Sequence, residues 1–266
     1  MLKKRIIFTL LHDADSFMLS RNFRLQKVGN LEWLQRNYNF AHIAFFIDEL
    51  IVLDVTRGER NHAAFCETLK ALTAGCFVPI AAGGGIRSID DARLLLRSGA
   101  DKVVINTPLF EGTGLARDLV EEFGQQCVVG SVDLKRMPDG CYRVVTGMGH
   151  TTVEKDPREA MLWLKDELVG EIYLNSIDRD GTGQGYDFGL LDVLPDNLSV
   201  PVILAGGVGN GAHLKAGIQD PRVDAVATAH LFNFIGNGLQ RAREALIEDG
   251  FGLAVWPSLE SIKIKN

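Results

Sequence analysis

VPIAAGGGI (78–86) and VPVILAGGV (200–208) are two copies of one pattern, an apolar run that breaks on a glycine turn. They lie 122 residues apart (200 minus 78), and the same shift lays Leu109-Phe110 on Leu231-Phe232 and Glu49 on Glu171. An internal repeat that covers half a chain makes the chain two similar halves, here roughly 1–125 and 126–250. Eight short β-branched runs recur: 5–10, 49–54, 78–82, 102–106, 127–134, 171–175, 200–205 and 225–229. Helical spacing lies between most of them, and that alternation is the mark of parallel strands joined by crossover helices. Eight such strands predict an α/β protein in which a closed (β/α)8 barrel, built from two half-barrels of four strands each, fills one domain over 1–266.

One crossover can be read in detail at SIDDARLLLRSGA (88–100). Ser88 is placed to cap a helix and Asp91 to return the bond, Ile89, Ala92, Leu95 and Leu96 form an apolar stripe, and Gly99 stops it. The segments 140–155 and 179–187, rich in Gly, Asp and Thr, are expected as long loops at the C-terminal rim.

Composition narrows the function. A barrel of this type takes about 250 residues, so 266 suits one barrel as well as two smaller domains, and the repeat decides between them. With 46% hydrophobic residues, no apolar run approaches the roughly 20 needed to cross a membrane. The apolar stretch after Lys3, Lys4 and Arg5 is too short for a secretory signal and lacks a cleavage site, so the cytoplasm is the expected compartment. A formal charge of −6, with 34 acidic against 28 basic residues, argues against a nucleic-acid binder. Cys66, Cys76, Cys127 and Cys141 show no metal or disulfide spacing. His12, Asp13 and Asp15 crowd one loop without a second cluster, so no metal and no cofactor are expected.

In a parallel barrel the chemistry stands at the C-terminal ends of strands, and glycine turns there expose N–H groups that can hold phosphate. Gly84-Gly85 and Gly206-Gly207 are two such turns, and the following strands end in Asn106-Thr107 and Ala229-His230. Matched turns suggest a substrate with a phosphate at each end. Carboxylates end other strands: Asp54, Asp133 and, in SIDRDG, Asp178 and Asp180. By the half-barrel shift the partner of Asp133 is position 11, where an acid would complete an acid–base pair. Leu11 stands there instead. At the other end of the strands Arg5, Glu49, Lys102 and Glu171 begin runs one, two, four and six, and their charges can close a ring across the barrel floor.

KRII, DELIVLDVT, GGGI, GADKVVINT, VDLKR, NSIDRDGTGQGYD and LAGGVG, in that order over nearly the whole chain, resemble the cyclase subunit of imidazole glycerol phosphate synthase. The resemblance implies a barrel that receives ammonia from a glutaminase subunit docked on its N-terminal face. In that family a phosphoribulosyl substrate, held by both phosphates, is converted to imidazole glycerol phosphate and an aminoimidazole carboxamide ribotide. It implies that Arg5, Glu49, Lys102 and Glu171 form an ammonia gate, that Asp101 lies near the glutaminase contact, and that Asp133, Asp54 and Asp180 are active-site acids. Gly84, Asn106, Thr107 and Gly207 match its phosphate sites.

Departures concentrate at the catalytic end. Leu11 stands for the second acid, Leu19 for a lysine of the mobile first loop, Asn175 for a threonine, Ala205 for a serine and His230 for a small phosphate-site residue. The floor is spared while the mouth is altered. That pattern is similar to diverged paralogues found with surface-polysaccharide genes, where LL replaces LD in the first strand. There ammonia serves an amidotransferase that turns an acetamido sugar into an acetamidino sugar, and such a separate sugar amidotransferase is a further expected partner. A true cyclase with a relocated acid, and a non-catalytic scaffold that activates a glutaminase, are the alternatives.

Overall fold

The computed structural model describes residues 3–38, 43–166, 169–229 and 237–255. Eight strands close a parallel barrel: β1 (Arg5–Asp13), β4 (Glu49–Asp54), β5 (Ile80–Gly83), β6 (Lys102–Ile105), β7 (Val128–Arg136), β10 (Glu171–Ser176), β11 (Val202–Ala205) and β12 (Ala225–Thr228). They neighbour one another in that order, β12 returns to β1, and every one of these pairings is parallel. Outside them run α1 (Leu31–Tyr38), α2 (His62–Gly75), α3 (Ile89–Arg97), α4 (Leu115–Phe123), α5 (Pro157–Asp166), α6 (Gly211–Gln219) and α7 (Gly238–Glu248). Among the described residues no helix is long and apolar enough to cross a membrane.

The apolar runs have no polar face because both faces are covered. On β1, Ile6, Phe8 and Leu10 join the large outer core between strands and helices. Ile7 points inward with Ile51, Ala81, Val104, Val129, Tyr173, Ile203, Ala225 and Ala227 to fill the barrel itself. The α3 crossover has the expected caps: Ser88 Oγ accepts the Asp91 N–H at 3.2 Å, and Asp91 Oδ2 accepts the Ser88 N–H at 2.9 Å. Gly99 ends it at φ +104°.

Three expectations change. The 122-residue shift relates three of the four strand pairs, but the last needs 123 (225 minus 102), because Ala225 and Ala227 face inward as Lys102 and Val104 do. The segment 140–155 is no plain loop, since β8 (Tyr142–Thr146) and β9 (Thr151–Thr152) lie within it and β8 pairs antiparallel with the overrun of β7. The first strand likewise runs on to Asp13 and pairs with a hairpin, β2 (Ser16–Arg21) and β3 (Arg24–Gly29), that sequence reading missed. Each half-barrel therefore opens with a long strand that carries antiparallel strands over the rim.

Candidate active site

Where the inward rows reach the C-terminal rim they turn polar and open into a cavity of about 480 Å³, within the usual range for small-molecule sites. Asp54, Asp133, Asp180, Gly84, Gly85, Asn106, Thr107, Gly206, Gly207 and Ala229 all line it, together with Leu11. The sequence reading brought these residues together, while His230 lies outside the described residues.

Asp133 is held by two amides. Asn106 Nδ2 donates to one carboxylate oxygen and Asn175 Nδ2 to the other, each at 2.9 Å. Burial pushes the carboxyl up to about 6 against these two bonds, with nearby Asp180 adding to the rise. A carboxyl that titrates near neutrality, oriented on both oxygens, is suited to move a proton. Below it the Tyr173 hydroxyl lies 3.3 Å from Thr9 Oγ1, and burial raises that phenol too. From β1, the wall of the mouth offers the apolar side chain of Leu11.

Asp54 braces a glycine turn. Its Oδ1 accepts the Thr56 N–H at 3.0 Å, and its carbonyl oxygen would lie 2.1 Å from a Cβ on Gly84, which sits at φ +107°. Gly207, at φ +102°, meets the Gly185 carbonyl in the same way at 2.2 Å. Close backbone approach alone therefore requires glycine at these two positions. Arg60 crosses the first turn: its Cδ would lie 2.6 Å from a Cβ on Gly85, and its Nε stands 3.7 Å from Asp54 Oδ2.

Asp180 ties down the hairpin that follows β1. Its Oδ2 accepts the Phe23 N–H at 3.0 Å and the Ser20 hydroxyl, and its carbonyl accepts the Asn22 N–H at 2.9 Å. Asn22 and Phe23 form the two-residue turn at φ +50° and +62°. Asparagine suits that geometry, whereas phenylalanine there is strained, and Phe23 lines the cavity. Asp178 takes the Arg136 N–H at 2.7 Å and serves the loop backbone. His12 turns away from the mouth between Phe17 and Phe65, at centroid distances of 5.6 and 5.3 Å. Among the described residues no three His, Cys, Asp or Glu side chains cluster closely enough to hold a metal ion.

At the opposite end, Arg5 Nη1 lies 2.8 Å from both Glu49 Oε2 and Glu171 Oε1. Lys102 Nζ lies 2.9 Å from Glu49 Oε1 and 3.2 Å from Glu171 Oε2. The charges alternate around a closed ring. Glu49 is the most enclosed member at 3% exposure, and burial raises its carboxyl despite two cationic neighbours. Asp101 has an internal role that the family resemblance did not suggest, since its Oδ2 accepts the Ile80 N–H at 2.8 Å. Asp48 and Asp224 do the same for Ile6 and Val202, so an aspartate before a strand braces its neighbour three times around the floor.

Sequence reading missed Arg57, Arg60 and the hairpin residues Ser20 to Arg24, because their approach to the mouth depends on strand overrun and loop path. The one local signal was Asn22-Phe23 between two alternating runs, a weak form of the asparagine-led hairpin turn.

Comparison with known proteins agrees with this geometry. The model of the family described as histidine biosynthesis protein matches residues 35–236. A protein of Parasynechococcus marenigrum (strain WH8102), provisionally named imidazole glycerol phosphate synthase subunit hisF2, is 46% identical over 262 residues, 98% of this chain and 97% of that one. The chain belongs to the histidine biosynthesis protein family, as a relative of an imidazole glycerol phosphate synthase subunit.

Proposed function

We propose that this chain is the ammonia-accepting barrel subunit of a glutamine-dependent amidotransferase complex, and that its ammonia goes to a phosphorylated sugar acceptor in surface-polysaccharide synthesis. The observation that carries the reading is an unequal pair of ends: a closed ring of four charges on the floor, and Leu11 where the half-barrel shift calls for an acid facing Asp133. A glutaminase subunit would dock on the floor, where Phe77 is 52% exposed and packs on Phe45 at 4.5 Å, both just ahead of barrel strands. Ring opening would then admit ammonia to an interior lined in part by Ala81, Ala225 and Ala227. At the mouth Asp133 would exchange the proton, Asp54 and Asp180 would hold the loops, and the two glycine turns with Asn106, Thr107 and Ala229 would seat the acceptor's phosphate oxygens.

The test is glutamine hydrolysis by the cognate glutaminase with this subunit present. Wild type is expected to stimulate it, and Phe77→Ala, an exposed change on the docking face, to lose most of that stimulation while still folding. A glutaminase indifferent to wild type would overturn the reading. The true cyclase is the second reading, favoured by Asp133 with its two amide donors and by the likeness to a synthase subunit, and ammonium-driven turnover of the family's bisphosphorylated substrate separates the two.

A further inference from the structure

The cavity is electrically lopsided. Arg21, Arg24, Arg57, Arg60 and Arg87 line it, all from the first half-barrel, while among the described residues the second half lines it with no cation and with the carboxylates of Asp133 and Asp180. The half-barrel shift makes this informative: Arg60 corresponds to Thr182 and Arg87 to Gly209. Arg57 corresponds to Arg179 and Arg21 to Arg143, which turn aside to Gln184 at 3.0 Å and to Asp139 at 3.6 Å. A chain with a formal charge of −6 has thus drawn five guanidiniums from its first half into one mouth, Arg60 and Arg87 at the Gly84-Gly85 turn and Arg21, Arg24 and Arg57 at the hairpin tip that Asp180 ties down.

Two of these groups lack the partners that a purely structural role would supply. Arg21 and Arg24 stand directly opposite each other across the β2–β3 pair, where like charges repel, and neither has a carboxylate partner among the described residues. Arg57 donates to the Phe23 carbonyl and so sits at the same hairpin tip. Arg60 Nε is buried against the Gly85 turn with no hydrogen-bond acceptor, its nearest carboxylate being Asp54 at 3.7 Å. Arg87, paired with Glu111, completes the rim. All five are arginine and none is lysine, the choice that suits forked hydrogen bonding to phosphate oxygens.

We infer that the Gly84-Gly85 end takes a diphosphate group and the Gly206-Gly207 end a less charged one, so that the substrate is a diphosphate ester and not a symmetric bisphosphate. One phosphoryl group would sit on the glycine turn against Arg60, and the next would lie under the hairpin between Arg21, Arg24 and Arg57. This rests on the glycine turns being phosphate cradles, as the proposed function has them.

The experiment is calorimetric titration of the full chain with inorganic phosphate and with inorganic pyrophosphate at one fixed ionic strength. Wild type should bind pyrophosphate at least about tenfold more tightly, the effect of roughly one additional charge-assisted contact. That preference should fall to about twofold or less in Arg60→Gln and, should that variant fold poorly, in the exposed pair Arg24→Gln/Arg87→Gln. It should survive in Arg179→Gln. Equal affinity for the two anions in wild type would overturn the inference and leave the cradles standing. A preference untouched by the first-half variants would overturn it by placing pyrophosphate elsewhere. Binding of neither anion would overturn the cradles as well.

Discussion

Replacing Asp133 by Asn should change the stability of the barrel, relative to wild type, in a manner set by pH. In the unfolded chain this carboxyl titrates at its ordinary 3.8, and in the folded protein burial raises it to about 6. Because the folded value is the higher, the native state holds the proton longer, and wild type loses stability as pH climbs from the unfolded toward the folded value. A rise of about two units corresponds to roughly 3 kcal/mol, of which about 2 develops between pH 4.5 and 7. The hydrogen bonds from Asn106 and Asn175 are already contained in that shift, since they act on the charged form. Asparagine has nearly the shape of the protonated acid and does not titrate, and the NH2 that it turns toward one of the two amide donors adds a cost that is the same at every pH. The assay is urea denaturation of both proteins across pH 4.5–8. The variant's advantage over wild type should grow by about 2 kcal/mol over this interval and then level off. A difference independent of pH, or one that shrinks as pH rises, would refute the reasoning that Asp133 is held ionised at a cost for its chemistry.

Gly84→Ala should lose about 3 kcal/mol, because a Cβ would meet the Asp54 carbonyl at 2.1 Å and φ is +107°, whereas Gly58→Ala, with open space around it, should stay within about 0.5 kcal/mol by the same denaturation assay. Lys102→Met leaves enclosed Glu49 with Arg5 as its remaining cation in the ring and should cost about 2–3 kcal/mol, a loss that a near-neutral result would contradict. His12→Phe should flatten the acid side of the stability profile. Burial lowers the folded His12 imidazole below its ordinary 6.5, so the unfolded chain takes up the proton first and wild type weakens as pH falls through 6.5. The variant should gain on wild type between pH 7 and 5, and parallel profiles would argue against a neutral, enclosed His12.

The barrel was legible because each of its strands is covered on both faces and so reads as an unbroken apolar run, and because the glycine turns recur at nearly one period. Floor residues were legible for a related reason. Arg5, Glu49, Lys102 and Glu171 are charged residues at the starts of apolar strands, where an inward direction leaves them no partner except one another. The mouth was readable only in part. Strand-end positions such as Asp133 follow from alternation, but Asn106 and Asn175 could not be paired with it until the closure of the barrel set β6 and β10 on either side of β7. The arginines of the rim were hidden more deeply, since Arg21 and Arg24 reach the cavity through a hairpin whose turn places Phe23 in a conformation that side chain rarely adopts. Asp101 shows the converse: the family resemblance made it a candidate for partner contact, while the structure gives its carboxylate a backbone N–H to hold.

The most direct test of the account is ammonium-driven turnover of the bisphosphorylated ribulosyl substrate of histidine synthesis, measured on wild type and on Leu11→Asp. Wild type is expected to give no turnover, because Asp133 faces leucine where a second acid would complete the proton exchange, and Leu11→Asp to gain turnover wherever the altered mouth still admits that substrate. Robust turnover by wild type would contradict it, and would establish a cyclase whose second acid comes from elsewhere in the mouth.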